Sequence, residues 1–249
     1  MGLFDIFKSK DRPGADAGPA VDKNLAKLGR VAGDKHAQNY DRIEAIEALA
    51  RIHSAEAAAA LLRRFTFHID PSITDQEEKD AAYQGILAAG EAAIEPIRNF
   101  CVKGESLTWP LKILKDLVPT ERYVEELTKL LEPFDTEYSR NVDPKQQLIS
   151  ELEHYKTPAA RVAVERFLED VSEAIRFVAV ATLFAQEDPA ATPPLARTLI
   201  AEESVRVKNR IAEGLAARAW QVPDDLRSDL RAALPATFSL DSQGVVKRR

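Results

Sequence analysis

A helix–turn–helix pattern that recurs every 30 to 37 residues constrains the fold of this 249-residue chain more than any other feature. Its marker is a short stretch with an aliphatic second position, which follows a longer amphipathic segment that starts about 15 to 20 residues earlier. The six marker positions are Leu62, Ile97, Leu127, Val164, Leu195 and Leu230. A single helical pair of this kind cannot cover its own apolar face, so we expect consecutive pairs to stack.

Six amphipathic segments precede these markers and are predicted to form the first helix of each pair. In the first segment, Ile43, Ile46, Leu49 and Ala50 fall on one stripe of a helix. The six segments are residues 41–52, 77–89, 108–118, 144–155, 172–184 and 204–219. Each stripe is too narrow to bury itself and must be covered by a neighbouring helix.

Local signals mark where several of these helices are expected to begin. Thr74 followed by Glu77 fits a capping box. Asp143, Thr157 and Asp188 each precede a proline, which is the order of a capping side chain followed by a first-turn proline. The local signals and the repeat therefore agree.

Composition agrees with an all-α protein in a reducing compartment. Only 10 glycines and 7 % aromatic residues, with 45 % hydrophobic content, favour helix over strand. A net charge of −6 and a pI near 5.4 argue against nucleic acid as the main partner, because phosphate binding needs a surplus of Lys and Arg. A single cysteine, no signal peptide and no long apolar run predict a cytoplasmic protein with no membrane span.

The chain is predicted to have four parts. Residues 1–20 form a flexible N-terminal segment and linker, 21–39 a capping helix, 40–234 the repeat domain, and 235–249 a tail or small β-hairpin. The N-terminal segment carries an apolar cluster that we expect to act as a secondary docking element. That cluster comprises Leu3, Phe4, Ile6 and Phe7.

The best copies of the repeat are RIEAIEALARIHSAEAAAALLRRF (42–65) and AAYQGILAAGEAAIEPIRNF (81–100). Their Ala-rich first helix and the E-A-A-I-E-P-I start of the second resemble the HEAT repeat family, in particular its compact bacterial, armadillo-type members. The resemblance covers roughly residues 40 to 233 and implies an all-α fold, an α-solenoid of about six antiparallel helix pairs. It supports a fold more than an activity, because this superfamily includes scaffolds, lyases and nucleic-acid enzymes.

No residue pattern indicates catalysis, a metal or a cofactor. The four histidines lie in different repeats, and no phosphate-binding loop or nucleophile motif occurs. Glu151 and His154 stand at i, i+3, a ligand spacing in di-iron bundles, but without a second copy a surface pair is the better interpretation. Cys101 is interpreted as a small buried residue. We therefore predict neither a catalytic residue nor a small-molecule ligand.

A cation follows each marker position and gives one positive charge or more per repeat. These candidate partner-binding residues are Arg63, Arg64, Arg98, Lys129, Arg166, Arg197 and Arg231. The HEAT resemblance implies that second helices line the concave side, where the cations could form a positive strip for an acidic peptide, another protein's helix or a phosphate backbone. The alternative is internal pairing, since Glu56 and Glu91 precede Arg63 and Arg98 by seven residues.

Two connections exceed the usual length between packed helices. Residues 66–79 contain Phe67 and Ile69, and residues 132–145 contain Phe134 and Tyr138. We expect these apolar side chains to pack back on the helices, or else to contact a partner.

A non-enzymatic, protein-binding scaffold is the function that the sequence favours. Two alternatives stay open. One is a nucleic-acid-binding HEAT-like protein, which the cationic residues support and the acidic total opposes. The other is a HEAT-like chromophore lyase or chaperone, which needs a ligand pocket.

Overall fold

A computed structural model describes the chain from Pro19 to Arg249, with side chains from Lys23 onward. This part contains thirteen α-helices, several short 3-10 turns and one two-stranded sheet. Its contacts divide the chain into two compact units, of which unit 1 ends at Ala92 and unit 2 comprises Ala93–Arg249. The mostly helical class is confirmed, whereas a continuous solenoid over residues 40–234 stays a prediction.

Unit 1 contains four of these helices. They are α1 (Pro19–Ala32), α2 (Asn39–Ala50), α3 (Ala55–Leu62) and α4 (Ser72–Ala88). Helix α2 packs against both α1 and α4, and α1 also contacts α3. Gly85 permits this close packing, because a Cβ there would lie 2.5 Å from the Cβ of Ala50. Ile46, Leu61 and Ile86 are fully buried between the helices.

Unit 2 contains nine helices and the sheet. The helices are α5 (Ile94–Lys103), α6 (Thr108–Leu117), α7 (Thr120–Leu131), α8 (Asp143–Leu152), α9 (Pro158–Glu165), α10 (Glu173–Ala185), α11 (Thr192–Ala201), α12 (Val205–Arg218) and α13 (Arg227–Ala233). Helix α10 packs between α8 and α12, α7 contacts α9, and α11 contacts α13. The first helices of consecutive pairs, α8, α10 and α12, are therefore neighbours. The second helices are neighbours too, since α7 contacts α9 and α11 contacts α13.

The repeat predicted from the sequence corresponds to this helix order. The six amphipathic segments are α2, α4, α6, α8, α10 and α12, and each is followed by a second helix. All six marker positions have an exposed fraction of 0 %. The periodic aliphatic residue is thus a core position in every pair.

Some predicted boundaries are wrong. Helix α4 begins at Ser72 after Pro71, so Thr74 lies inside the helix and most of the predicted 66–79 loop is helical. The early start places Asp75 and Glu78 in a buried ion cluster. Helix α8 begins at Asp143 itself, with no side-chain cap. The cap at Thr157 is confirmed, since its hydroxyl accepts a hydrogen bond from the Ala160 amide at 3.1 Å.

The chain closes with an antiparallel hairpin of β1 (Phe238–Leu240) and β2 (Val246–Arg248). Strand β2 packs on α12, and the side chains of Phe238, Leu240 and Val246 are buried. The turn needs Gly244, whose φ is +82° and where a Cβ would lie 2.2 Å from Nε of Arg227. Residues 235–249 are therefore a packed hairpin rather than a frayed tail.

Candidate functional site

Arg64 lies in a buried ion cluster of unit 1, not on a surface. Its Nε is 2.6 Å from Oε2 of Glu78, and its Nη2 is 2.7 Å from Oδ1 of Asp75. Arg42 binds the same Glu78 at 2.7 Å, and Lys79 binds Asp75 at 2.6 Å. The Arg64 side chain is 0 % exposed, so the prediction that it contacts a partner has to be corrected.

Arg98 and Lys129 share one carboxylate in unit 2. Arg98 donates from Nε and Nη2 to Glu126 at 2.5 and 2.6 Å, and from Nη1 to Glu95 at 2.9 Å. Lys129 lies 3.7 Å from Glu126, whose pKa is lowered by the hydrogen bonds from Arg98. Arg98 is therefore held by Glu126 and Glu95 rather than by Glu91, whereas Lys129 is exposed and makes only the longer contact with Glu126.

Arg166 is exposed but structurally engaged. Its Nη2 donates to the carbonyl oxygens of Leu131 and Glu132 at 2.6 and 3.2 Å, at the C-terminal end of α7. Its guanidinium lies 4.5 Å from the ring centroid of Phe167. Since the C-terminus of a helix carries a partial negative charge, Arg166 stabilises the end of α7.

The remaining candidates, Arg63, Arg197 and Arg231, are exposed and make no ion pair with another described residue. Arg197 and Arg231 lie on the contacting helices α11 and α13 of unit 2. Arg197 lines a groove of about 470 Å³ whose other charged residues are mostly acidic. Those residues are Glu165, Glu169, Asp170, Arg176, Glu202 and Glu203. The second-helix face is therefore mixed in charge around Arg197 rather than a uniformly positive strip.

Sequence reasoning missed the ion pairs that join consecutive helix pairs in unit 2. Lys145 on α8 lies 2.6 Å from Asp170, and Arg176 on α10 lies 2.7 Å from Glu202. In both cases a cation on a first helix meets a carboxylate just before the next first helix, 25 or 26 residues later. A search of the sequence for a cation in each first helix and a carboxylate 25 or 26 residues later would have found these pairs, whereas the search above considered cations in the second helices.

A second groove of about 430 Å³ lies between α6 and α8. Two side-chain bridges cross between these helices. Gln147 accepts from the Leu107 amide at 2.6 Å and donates to Thr108, and Lys115 lies 3.1 Å from Glu151. Glu151 and His154, the pair noted in the sequence, both line this groove.

The floor of this groove, which we call the α6–α8 groove, is formed by Leu111 and Tyr123. Tyr123 is buried and donates from its hydroxyl to the Leu111 carbonyl oxygen at 3.2 Å. Its ring packs edge-on against Tyr155, with centroids 5.6 Å apart. Burial raises the pKa of Tyr123, so the phenol stays neutral.

Other predicted features have the following positions. Leu3, Phe4, Ile6 and Phe7 lie outside the described residues. Cys101 is buried, and burial raises the pKa of its thiol to about 12. Tyr138 is 83 % exposed on the 132–142 connection, so it does not pack back on the helices. Within residues 19–249, no cluster of three metal-ligating side chains and no helix suited to crossing a membrane occurs.

The sequence matches no known protein family and shows no significant similarity to a curated protein. The HEAT likeness therefore rests on the repeat and on the helix order described above.

Proposed function

We propose that this chain is a non-enzymatic scaffold whose helix pairs, stacked in the manner of a HEAT-type α-solenoid, bind another protein. The observation that carries the proposal is the position of Arg197 and Arg231. They are exposed on the contacting helices α11 and α13, without an ion pair to another described residue. Exposed arginines that are not engaged internally suit the recognition of carboxylates on a partner.

A rigid frame supports this use of the surface. The buried ion pair Lys145–Asp170 ties α8 to the segment before α10, and the partly buried pair Arg176–Glu202 ties α10 to the segment before α12. A binding surface on such packed helices holds its side chains in fixed positions, which lowers the entropy lost on binding. The partner that the sequence predicts is another protein or an acidic peptide segment, in a cytoplasmic setting.

Capture from a native lysate tests the proposal. Immobilised full-length chain is compared with the double variant Arg197→Glu/Arg231→Glu, and bound proteins are identified by mass spectrometry. The matched control is Lys23→Glu/Lys35→Glu, which makes the same charge change at exposed positions of unit 1. We expect the partner to be recovered by the wild type and the control, and to be lost with the α11–α13 variant.

Two results would contradict the proposal in different ways. Recovery of the same partners by all three chains would mean that Arg197 and Arg231 do not contact the partner. Failure of the wild type to enrich any protein over bare resin, together with micromolar binding of duplex DNA at low salt, would favour the nucleic-acid function instead.

A further inference from the structure

Exposed apolar side chains recur at the connections between helix pairs. Eight large hydrophobic residues are exposed among the side chains that the structure describes, and six of them lie where one pair ends or the next begins. In unit 1 these are Tyr40 and Ile73, at the starts of α2 and α4. In unit 2 they recur at intervals of 36, 33 and 34 residues, and we call them the apolar row: Val102, Tyr138, Val171 and Val205.

Hydrogen bonds and an ion pair join the successive connections that carry the apolar row. They run from Nδ2 of Asn141 to the Glu105 carbonyl oxygen at 3.2 Å, from the Val171 amide to the Thr136 carbonyl oxygen at 2.9 Å, and from Nη1 of Arg206 to Glu173 at 3.4 Å. Each of these residues lies within three positions of a row member or is one itself. The four members, which are 56 to 83 % exposed, therefore follow one another along one edge of unit 2.

The spacing of the apolar row matches an α-helix laid along this edge. Neighbouring packed helices have axes about 8–10 Å apart, so the four members extend over about 24–30 Å. A helix rises 1.5 Å per residue, so positions i, i+7, i+14 and i+21 are about 10.5 Å apart and stay near one face. In an extended segment about 10 Å corresponds to three residues, and side chains three apart point to opposite faces. A helix is therefore the occupant that reaches all four members from one side.

The charges around the apolar row are mainly acidic. Within three residues of its members, the exposed charged side chains comprise six carboxylates, Glu105, Asp135, Glu137, Glu169, Glu173 and Glu203, and three cations, Lys103, Arg140 and Arg206. Arg206 is paired with Glu173, so neither charge is available to an occupant. The remaining surplus of carboxylates is complementary to lysines or arginines on an occupant, and it repels an anionic lipid surface.

We propose that the apolar row binds an amphipathic helix of a partner protein, with aliphatic residues at heptad spacing on its contact face and lysines or arginines beside them. The inference rests on the proposed protein-binding function, but it uses the edge of unit 2 between helix pairs and not the surface of Arg197 and Arg231. Tyr138 and Val171 contact the middle of the bound helix, and Glu137 pairs with one of its cations.

Fluorescence anisotropy with the full-length chain tests this inference. The probe is a fluorescein-labelled peptide in which the heptad Leu-Ala-Lys-Ala-Ala-Lys-Ala is repeated three times and followed by a final Leu. Two comparison peptides replace every leucine by alanine, or every lysine by glutamate. We expect a dissociation constant of about 10 μM for the probe and at least about tenfold weaker binding of both comparison peptides.

Substitutions in the apolar row test the hydrophobic contact. Val171→Ser is expected to weaken the probe at least about threefold, and Tyr138→Ser/Val171→Ser at least about tenfold. The matched control is Val162→Ser, because Val162 is a valine of similar exposure, 58 %, that lies on α9 outside the row. Its affinity for the probe should equal that of the wild type. All of these side chains are exposed, so the substitutions leave the packing of unit 2 intact.

A second pair of variants tests the charge contact. Glu137→Gln/Glu169→Gln removes two carboxylates beside the row and is expected to weaken the probe at least about threefold at low salt. Glu153→Gln/Glu213→Gln makes the same change in net charge at exposed positions of unit 2 away from the row, and binding should be unchanged.

The contrary outcomes are distinct. No binding at about 1 mM probe, equal affinity for the alanine peptide, or equal losses in Val171→Ser and Val162→Ser would overturn the inference. Binding of phosphatidylglycerol vesicles that is lost in Tyr138→Ser/Val171→Ser would assign the row to a membrane surface and would also overturn it. Arg197→Glu/Arg231→Glu should bind the probe at least as tightly as the wild type. Failure of the probe, with capture of a partner from lysate as proposed above, would therefore remove the row alone.

Discussion

Lys145 and Asp170 form an ion pair in which almost no side-chain surface reaches solvent. The distance from Nζ to Oδ2 is 2.6 Å, and the side chains are 2 % and 0 % exposed. Lys145 also donates to the Asp135 carbonyl oxygen, while Asp170 accepts from the Ser172 amide at 2.8 Å. The pair therefore fixes both the 132–142 connection and the start of α10.

Lys145→Met is expected to destabilise unit 2 by about 3–5 kcal/mol, because it leaves the Asp170 carboxylate buried without its cation. Urea unfolding followed by tryptophan fluorescence measures this, since Trp109 and Trp220 both lie in unit 2. Lys103→Met at an exposed position is the control and should change stability little. The double variant Lys145→Met/Asp170→Asn should recover part of the loss, and a single variant as stable as the wild type would contradict the argument.

Asp75 should make the stability of unit 1 dependent on acid pH. Burial by itself raises the pKa of this carboxyl, but the hydrogen bonds from Lys79 and Arg64 outweigh burial, and the net pKa lies well below its usual range. A lowered folded-state pKa stabilises the protein at pH values above the unfolded pKa of about 3.9, and the stabilisation is lost as pH falls below that value.

The measurement compares wild type with Asp75→Asn by urea unfolding at several pH values, followed by circular dichroism. The variant should be less stable by a constant amount from neutral pH down to about pH 5. Below about pH 4 the difference should shrink, because the wild-type carboxyl takes up a proton on unfolding. A difference that stays constant into the acid range would show that Asp75 contributes through packing alone.

The repeat was predictable because its core positions are aliphatic in every pair. Leu62 and Leu230, at opposite ends of the repeat, are both fully buried, and periodicity alone identifies them. The start of α4 was not predictable from caps, because burial of Asp75 and Glu78 by distant arginines extends the helix to Ser72. Tertiary pairing overrode the local capping signal there.

The candidate site was less predictable than the fold. The sequence does not distinguish a buried arginine after a marker position, such as Arg64, from an exposed one, such as Arg197. The difference depends on carboxylates from other helices, such as Glu78 and Glu126, and a single sequence does not reveal which helices meet. The α6–α8 groove likewise depends on how two helices are spaced by Gln147 and Lys115.

Two buried threonines in unit 2 should differ in how much stability they lose when replaced by valine. Thr192 is buried, and its hydroxyl has no partner in the described part of the chain. Thr182 is also buried, but its hydroxyl donates to the Ile149 carbonyl oxygen at 3.0 Å. Thr192→Val should be neutral or stabilising, whereas Thr182→Val should cost about 0.5–1.5 kcal/mol in the same fluorescence-detected urea assay. Equal effects of the two substitutions would contradict this assignment.

Cys101 should report the opening of unit 2. Cys101 is 2 % exposed, so a reagent cannot reach its thiol in the folded protein. Burial also raises the pKa of the thiol to about 12, so the reactive thiolate does not form there at pH 8. We expect a disulfide reagent at pH 8 to label the native chain far more slowly than the urea-unfolded chain, at a rate set by opening.

The matched control moves the thiol by one residue. Val102 is 59 % exposed, so the variant Cys101→Ala/Val102→Cys should be labelled at the rate of an exposed thiol. Adding Lys145→Met to the wild-type background should accelerate labelling of Cys101, because the weakened unit opens more often. Labelling of native Cys101 as fast as the cysteine at position 102 would contradict its burial, and an unchanged rate in Lys145→Met would show that opening at α5 does not depend on the Lys145–Asp170 pair.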